Sequence, residues 1–433
     1  MKIDKLRLSH FRCFEDFEIT FHQQLTVLVA RNGAGKSTVL DGVQTALNLF
    51  LTRVPKVKGS NPRDTDFQVY PDGHRPPYMR VRCESTDGII WDRTEKRDQT
   101  RKTASQIPEA VGVRQLHEYV DGFIDAHNDN QPYQLPVLIY YGTERAVFDV
   151  PQRKRGFGKD FSRLDSYEGS LESRTNFRRF VQYFYVLEDR EAKLQKDARS
   201  FDIELPELKA IRKAIATLLP EFSNPRGAEP AGIQVDWNKN GVIKQLRIEQ
   251  LSDGYRTTLA MVMDIASRMA EANPELENPL ETEGVVLIDE VDLHLHPGWQ
   301  QTILLDLMRA FPNVQFIVST HSAQVISSVK PECLRVIDWQ DSKPGLVPIQ
   351  FSEGAEAQQI LQDVLGLESV RVAELDIVKK LNRYQQLIEQ DQWNTDEAKK
   401  LRSTLDKWGG EHEPELKRLD MDIQMKEWDR KQQ

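Results

Sequence analysis

The sequence predicts an α/β fold with a parallel sheet at its centre, and three stretches carry that prediction. Residues 25–29 are a short apolar run leading into Ala30-Arg31-Asn32-Gly33-Ala34-Gly35-Lys36-Ser37-Thr38, after which Val39, Val43, Leu47 and Phe50 recur at helical spacing. Residues 284–288 are a second apolar run, ending in Asp289-Glu290, and residues 314–319 a third, leading into Thr320-His321-Ser322. Apolar runs without alternation suit strands covered on both faces, as parallel strands are.

A strand, a glycine-rich turn and a helix opening on Lys-Ser form the phosphate-binding loop of nucleotide triphosphatases. Backbone N–H groups from Asn32 through Thr38 would converge on one anion, and the helix dipole adds positive potential there. Gly33 and Gly35 allow close approach past Ala34, Lys36 would reach the terminal phosphates, and the Ser37 hydroxyl would hold Mg²⁺. Ala30 stands where the pattern has its first glycine, a small departure.

Asp289, at the C-terminal end of a strand, lies where α/β sheets bind ligands and would serve Mg²⁺. Its neighbour Glu290 would orient or deprotonate the attacking water. Leu251-Ser252-Asp253-Gly254-Tyr255 precedes a helix, so Ser252 and Gly254 mark a second dipole-assisted anion site. His321 follows the third apolar strand, in Ser319-Thr320-His321-Ser322, and by itself a lone histidine in a loop is usually structural. His294 and His296 are too weak a pattern for a metal, with no third histidine or cysteine nearby in sequence.

In chain order, residues 1–30 read as three strands, the first two alternating, and residues 52–75 as loop. A hairpin is expected over 79–96 around Thr86-Asp87-Gly88, and a strand over 137–141, followed by Gly142-Thr143-Glu144-Arg145. Residues 165–220 read as helical, with Phe177, Phe180, Val181, Phe184 and Leu187 on one face. Asn240-Gly241 marks a second hairpin, Pro274 stops a helix running through Leu259 and Met269, and a further helix is expected over 299–311. Beyond 355 the chain is charged and helical, without strands. This divides it into an N-terminal lobe with the P-loop (1–160), a helical insertion (161–230), a signature and acid-pair part (231–350) and a helical tail (351–433).

A net charge of −9 argues against wholesale coating of nucleic acid. Basic clusters at Arg153-Lys154-Arg155 with Lys159 and Arg163, and at Lys96-Arg97 with Arg101-Lys102, read as solvated loops. Three scattered cysteines give no disulfide framework. No apolar run has transmembrane length and the N-terminus lacks a signal-peptide core, so a cytoplasmic protein without a membrane partner is expected.

Together, Arg12 within His10-Phe11-Arg12-Cys13-Phe14, the P-loop, Leu251-Ser252-Asp253-Gly254-Tyr255-Arg256, Ile288-Asp289-Glu290-Val291-Asp292-Leu293-His294-Leu295-His296-Pro297 and Ser319-Thr320-His321-Ser322 resemble the RecF/OLD-like branch of ABC ATPases. Trp299-Gln300, the stretch from Phe311 to Ile317 and the helical tail are similar to the PtuA family, ATPase subunits of Septu and retron anti-phage systems. The resemblance implies an ABC-type (RecF/SMC-like) P-loop ATPase head binding ATP and Mg²⁺. It implies catalytic roles for Glu290 and His321, nucleotide contacts from Arg12 and the P-loop, and metal contacts from Ser37 and Asp289. It also implies a homodimer or higher even-numbered oligomer in which the Ser252–Gly254 signature of one subunit closes on the nucleotide of the other. Implied partners are an HNH nuclease (PtuB-like) and, in retrons, a reverse transcriptase with its RNA/DNA; phage DNA or tRNA would be the target. OLD proteins carry a C-terminal Toprim nuclease. Asp420-Met421-Asp422 here follows no strand, so none is expected in this chain. Other readings are a RecF-like DNA-repair ATPase acting on DNA directly, ATP as a structural ligand locking an oligomer, and, weakest, a transporter ATPase. No motif locates the glutamine of the Q-loop, and Gln68 is taken for it as a guess.

Overall fold

The computed structural model describes residues 1–146, 161–172, 177–229, 232–341, 343–410 and 412–432. In chain order these form β1 (Ile3–Phe11), β2 (Phe14–Thr20), β3 (Leu25–Ala30), α1 (Lys36–Arg53), β4 (Tyr78–Ser85), β5 (Ile90–Lys96), α2 (Arg101–Ser105), α3 (Arg114–Asn128) and β6 (Val137–Tyr141). Then come α4 (Phe177–Ala198), α5 (Pro206–Leu218), β7 (Phe222–Ala228), β8 (Gly232–Lys239), β9 (Val242–Arg247), α6 (Asp253–Ala272) and β10 (Gly284–Ile288). The last group is α7 (Pro297–Gln300), α8 (Ile303–Ala310), β11 (Val314–Ser319), α9 (Ala323–Ile326), β12 (Leu334–Gln340), β13 (Lys343–Val347), α10 (Ala357–Gln359), α11 (Asp376–Glu389), α12 (Asp396–Gly409) and α13 (Pro414–Gln432).

The central sheet has the order β13-β12-β3-β11-β10-β6. Its pairs from β12 to β6 are parallel, and only the edge strand β13 runs antiparallel. Every residue of β3, β6, β10 and β11 is buried, which is why those stretches read as unbroken apolar runs. The alternating β1 belongs to a separate antiparallel sheet, β2-β1-β4-β5, and a third sheet holds β7-β8-β9. The parallel order sets the C-terminal ends of β3, β11, β10 and β6 side by side, and those ends carry the P-loop, His321, Asp289-Glu290 and Gly142-Thr143 respectively.

Several elements were not anticipated. The expected helix over 299–311 is two pieces, α7 and α8, with Gln301 and Thr302 between them. α3 packs on α1, with Tyr119 and Phe123 against Phe50, and β12 pairs with β3. β7 and β13 contain Pro225 and Pro344, which weigh against a strand, but both are edge strands, where a missing N–H is tolerated.

Residues 361–433 form a compact unit of their own. Leu381, Tyr384, Leu387, Trp393, Leu405 and Leu416 are the core of α11, α12 and α13. Asp420 lies within α13 and is ion-paired with Arg402, and Asp422 lies 3.6 Å from Arg418, so these acids are helix-borne. Arg153, Arg155, Lys154 and Lys159 lie outside the described residues. Arg163, read from sequence as part of a solvated basic loop, is instead tied inward: it donates to the carbonyls of Ala272 and Tyr133 and lies 3.7 Å over the Tyr133 ring. No described helix is long and apolar enough to cross a membrane.

Candidate nucleotide site

The P-loop is held from outside its own segment. Ala34, Gly35 and Lys36 are buried, while Asn32, Gly33 and Ser37 are exposed. Gly35 has φ 108° and sits against the Phe14 ring, where a side chain would collide. Phe14 stacks between Phe17 and Trp339, with centroids 4.4 and 6.0 Å away, and the Trp339 indole N–H donates to the Ala34 carbonyl at 3.0 Å. Thr38 is buried beside Cys13, whose Sγ is 3.6 Å from its hydroxyl. The Lys36 ammonium donates to the Ala30 carbonyl at 3.1 Å. Burial pushes its pKa down, and Asp289, Glu290 and Asp292 oppose that only in part.

The acid pair sits on a turn whose peptide groups are all tied. Asp289 N–H donates to the Tyr141 carbonyl at 2.8 Å, Glu290 N–H to the Ser319 hydroxyl at 2.8 Å and Val291 N–H to the Ser319 carbonyl at 2.9 Å. The Arg145 guanidinium donates to the carbonyls of Asp289 and Glu290, the latter at 2.5 Å. Glu290 has φ 49°, a left-handed conformation that costs a non-glycine residue about 1 kcal/mol or more and persists only where surroundings impose it. Ser319 also donates to Asp289 Oδ1 at 2.5 Å, and Thr320 to Asp292 at 2.5 Å. The Glu290 carboxylate has no hydrogen bond or ion pair among the described residues.

Ser37, Asp289 and Glu290 line one cavity of about 520 Å³ together with Arg12, Asp41, Asp66, Tyr140, Gly142, Thr143 and Glu144. Arg12 enters it already paired with Asp41 and Asp66. Burial works against its charge, but the two carboxylates outweigh burial and raise its pKa. Tyr140 donates to Asp41 at 2.9 Å. His321 is electrostatically coupled to Lys36, Asp292, Glu290 and Asp289; burial first, then Lys36, pushes its pKa down.

Ser252 and Gly254 do not line this cavity. Ser252 is exposed before α6 and makes no side-chain cap, while Gly254 is buried against the His294 carbonyl. Gln68 hydrogen-bonds His10 and does not line the cavity either, whereas Gly142 to Glu144, beside the acid pair's strand, do. His296 caps α7 by accepting from Gly298 N–H at 3.2 Å. Sequence reading gave no role to Asp41, Asp66, Tyr140, Arg145 or Ser319. Asp41 alone had a local signal, being one helical turn beyond Ser37 on the same face.

A family model described as an AAA domain matches residues 5–223. Over 93% of its length, and 87% of the relative's, the chain is 26% identical to the retron Vc95 probable ATPase of Vibrio cholerae serotype O1 biovar El Tor. Over 99% of its length, and 88% of the relative's, it is 27% identical to the retron Ec83 probable ATPase of Escherichia coli. A 76-residue stretch, 18% of this chain and 10% of the relative, is 45% identical to the Septu protein PtuA of Bacillus mycoides. The chain belongs to the AAA domain family, and it is an ABC-type P-loop ATPase similar to the PtuA-like ATPases of retron and Septu systems.

Proposed function

We propose that this ATPase is the nucleotide-driven subunit of an anti-phage defence complex, controlling a partner nuclease of HNH type. The observation that carries the catalytic part is the convergence on one cavity of Ser37, Asp289 and Glu290, whose carboxylate has no partner among the described residues. Similarity along nearly the whole chain to two retron ATPases supports the defence setting.

In this reading the P-loop amides and Lys36 hold the phosphates of ATP, with the Ala30 contact exchanged for phosphate oxygens. A hydroxyl and a carboxylate are hard oxygen donors that fit Mg²⁺, so Ser37 and Asp289 would hold it; bound there, it would neutralise phosphate charge. Glu290 takes the proton of the attacking water or orients it, and His321, kept neutral, contacts the terminal phosphate. Ser252, exposed at the start of the 20-residue helix α6, serves the nucleotide of a second subunit, which makes the working form an even-numbered assembly. The helical tail, 351–433, docks the partner. A cytoplasmic location suits these partners.

The test is to purify tagged Glu290→Gln protein from its native host with ATP and identify what accompanies it by mass spectrometry. A small nuclease in stoichiometric amount is the expected result. Recovery of the chain alone with tightly bound DNA would replace this reading with that of a RecF-like ATPase acting on DNA.

A further inference from the structure

We infer that Arg145 is a positioning residue for hydrolysis: it fixes the turn that aims Glu290, without touching nucleotide itself. The inference rests on reading Glu290 as the acid that handles the attacking water. Arg145 is 3% exposed and reaches across 144 and 145 residues of sequence to the two carbonyls of the acid pair. Two acceptors on successive peptide groups match the forked N–H geometry of a guanidinium, which a lysine ammonium does not reproduce. The same guanidinium donates to the Gly142 carbonyl at 3.0 Å, so one side chain joins the end of β6 to the end of β10.

Two features make this more than the satisfaction of buried carbonyls. The residue it holds, Glu290, is left-handed at φ 49°, a backbone state that needs outside support. Its carboxylate has no hydrogen bond or ion pair of its own among the described residues, so its direction is set through the main chain rather than by a side-chain partner. Ser319 adds to that support by accepting from Glu290 N–H at 2.8 Å, and Leu293 N–H donates to the Glu290 carbonyl at 2.9 Å. The Asp289 carbonyl has no such second donor among the described residues, because the Ser319 hydroxyl proton goes to the Asp289 carboxylate. Releasing the turn moves the carboxylate off the line of attack, and displacements near 1 Å cost about 10²-fold in rate.

The experiment compares wild type, Arg145→Met, Arg145→Lys, Glu290→Gln and the double variant Arg145→Met/Glu290→Gln by equilibrium ATP binding and single-turnover hydrolysis. For Arg145→Met the expected result is ATP binding within about 3-fold of wild type and hydrolysis slower by about 10–10²-fold, with Arg145→Lys intermediate. In the Glu290→Gln background the same change is expected to cost less than about 2-fold, because no aimed carboxylate is left to lose. A full-sized loss in that background, or a loss of binding as large as the loss of rate, overturns the inference and leaves Arg145 a structural residue. Should Arg145→Met fail to fold, as judged by its melting curve, Arg145→Lys and Arg145→Lys/Glu290→Gln carry the same comparison. Wild-type turnover by Glu290→Gln alone is a separate result: it removes Glu290 from catalysis and with it the premise here.

Discussion

Gly254 lies so close to the main-chain carbonyl of His294 that a β-carbon would overlap the oxygen. One residue on, the Tyr255 ring meets Trp299 edge to face at 4.3 Å. The start of α6 is thus packed against the loop that follows the acid pair of its own chain. Glycine is required there by a contact within the subunit, apart from any role toward a second subunit's nucleotide.

That contact gives the first prediction. Gly254→Ala meets backbone that cannot swing aside like a side chain, so it should destabilise the protein by about 1–3 kcal/mol. The melting temperature without nucleotide is the measurement. An unchanged melting temperature together with lost turnover would mean that Gly254 matters only between subunits.

For the acid pair, Glu290→Gln should leave ATP binding intact and slow hydrolysis by about 10²–10³-fold, the scale set by loss of one key catalytic group. Lys36→Ala should instead abolish binding. Calorimetry with a non-hydrolysable ATP analogue, beside a phosphate-release assay, separates the two. Wild-type turnover by Glu290→Gln would remove that residue from the mechanism.

Trp339 steadies the P-loop crest through one hydrogen bond to Ala34 and a stack on Phe14. Trp339→Phe keeps a ring and loses the N–H. ATP binding should weaken by about 1 kcal/mol, roughly fivefold in Kd, the net worth of one such bond. Titration calorimetry reads this directly, and an unchanged Kd would show that the loop needs no such brace.

His321 carries a pH prediction. Burial, then Lys36, holds its folded pKa below the usual value, so folding favours the neutral ring. A depressed pKa contributes stability that is complete above the unfolded value, near 6.5, and is lost as pH falls through the folded one. Wild type should therefore lose more stability than His321→Gln between pH 7 and pH 5. Melting curves of both proteins across that range check it; parallel curves would contradict the shift.

How much of this was legible beforehand follows from the range of each interaction. Asp289-Glu290 and the P-loop announce themselves because their chemistry and their strands are contiguous in sequence. α3 carries Leu116, Val120 and Phe123 at helical spacing, a short signal diluted by its charged neighbours. β13 was hidden by Pro344 and Gly345, which only an edge strand tolerates. Arg145 and Ser319 had no local signal at all, since their meaning lies in a turn that is distant in sequence and adjacent only once β6, β10 and β11 pair. Arg163 misled because a basic run looks solvated until the carbonyls it serves are in place.

The most direct test of the proposed shared site is complementation by mixing. Lys36→Ala keeps its signature but lacks a working P-loop, and Ser252→Glu keeps its P-loop but places negative charge at the start of α6. Each alone should be inactive, and the mixture should recover ATP turnover, because one of its composite sites has an intact half from each subunit. A mixture as inactive as its parts, or turnover by Ser252→Glu alone, would contradict a nucleotide site built from two subunits.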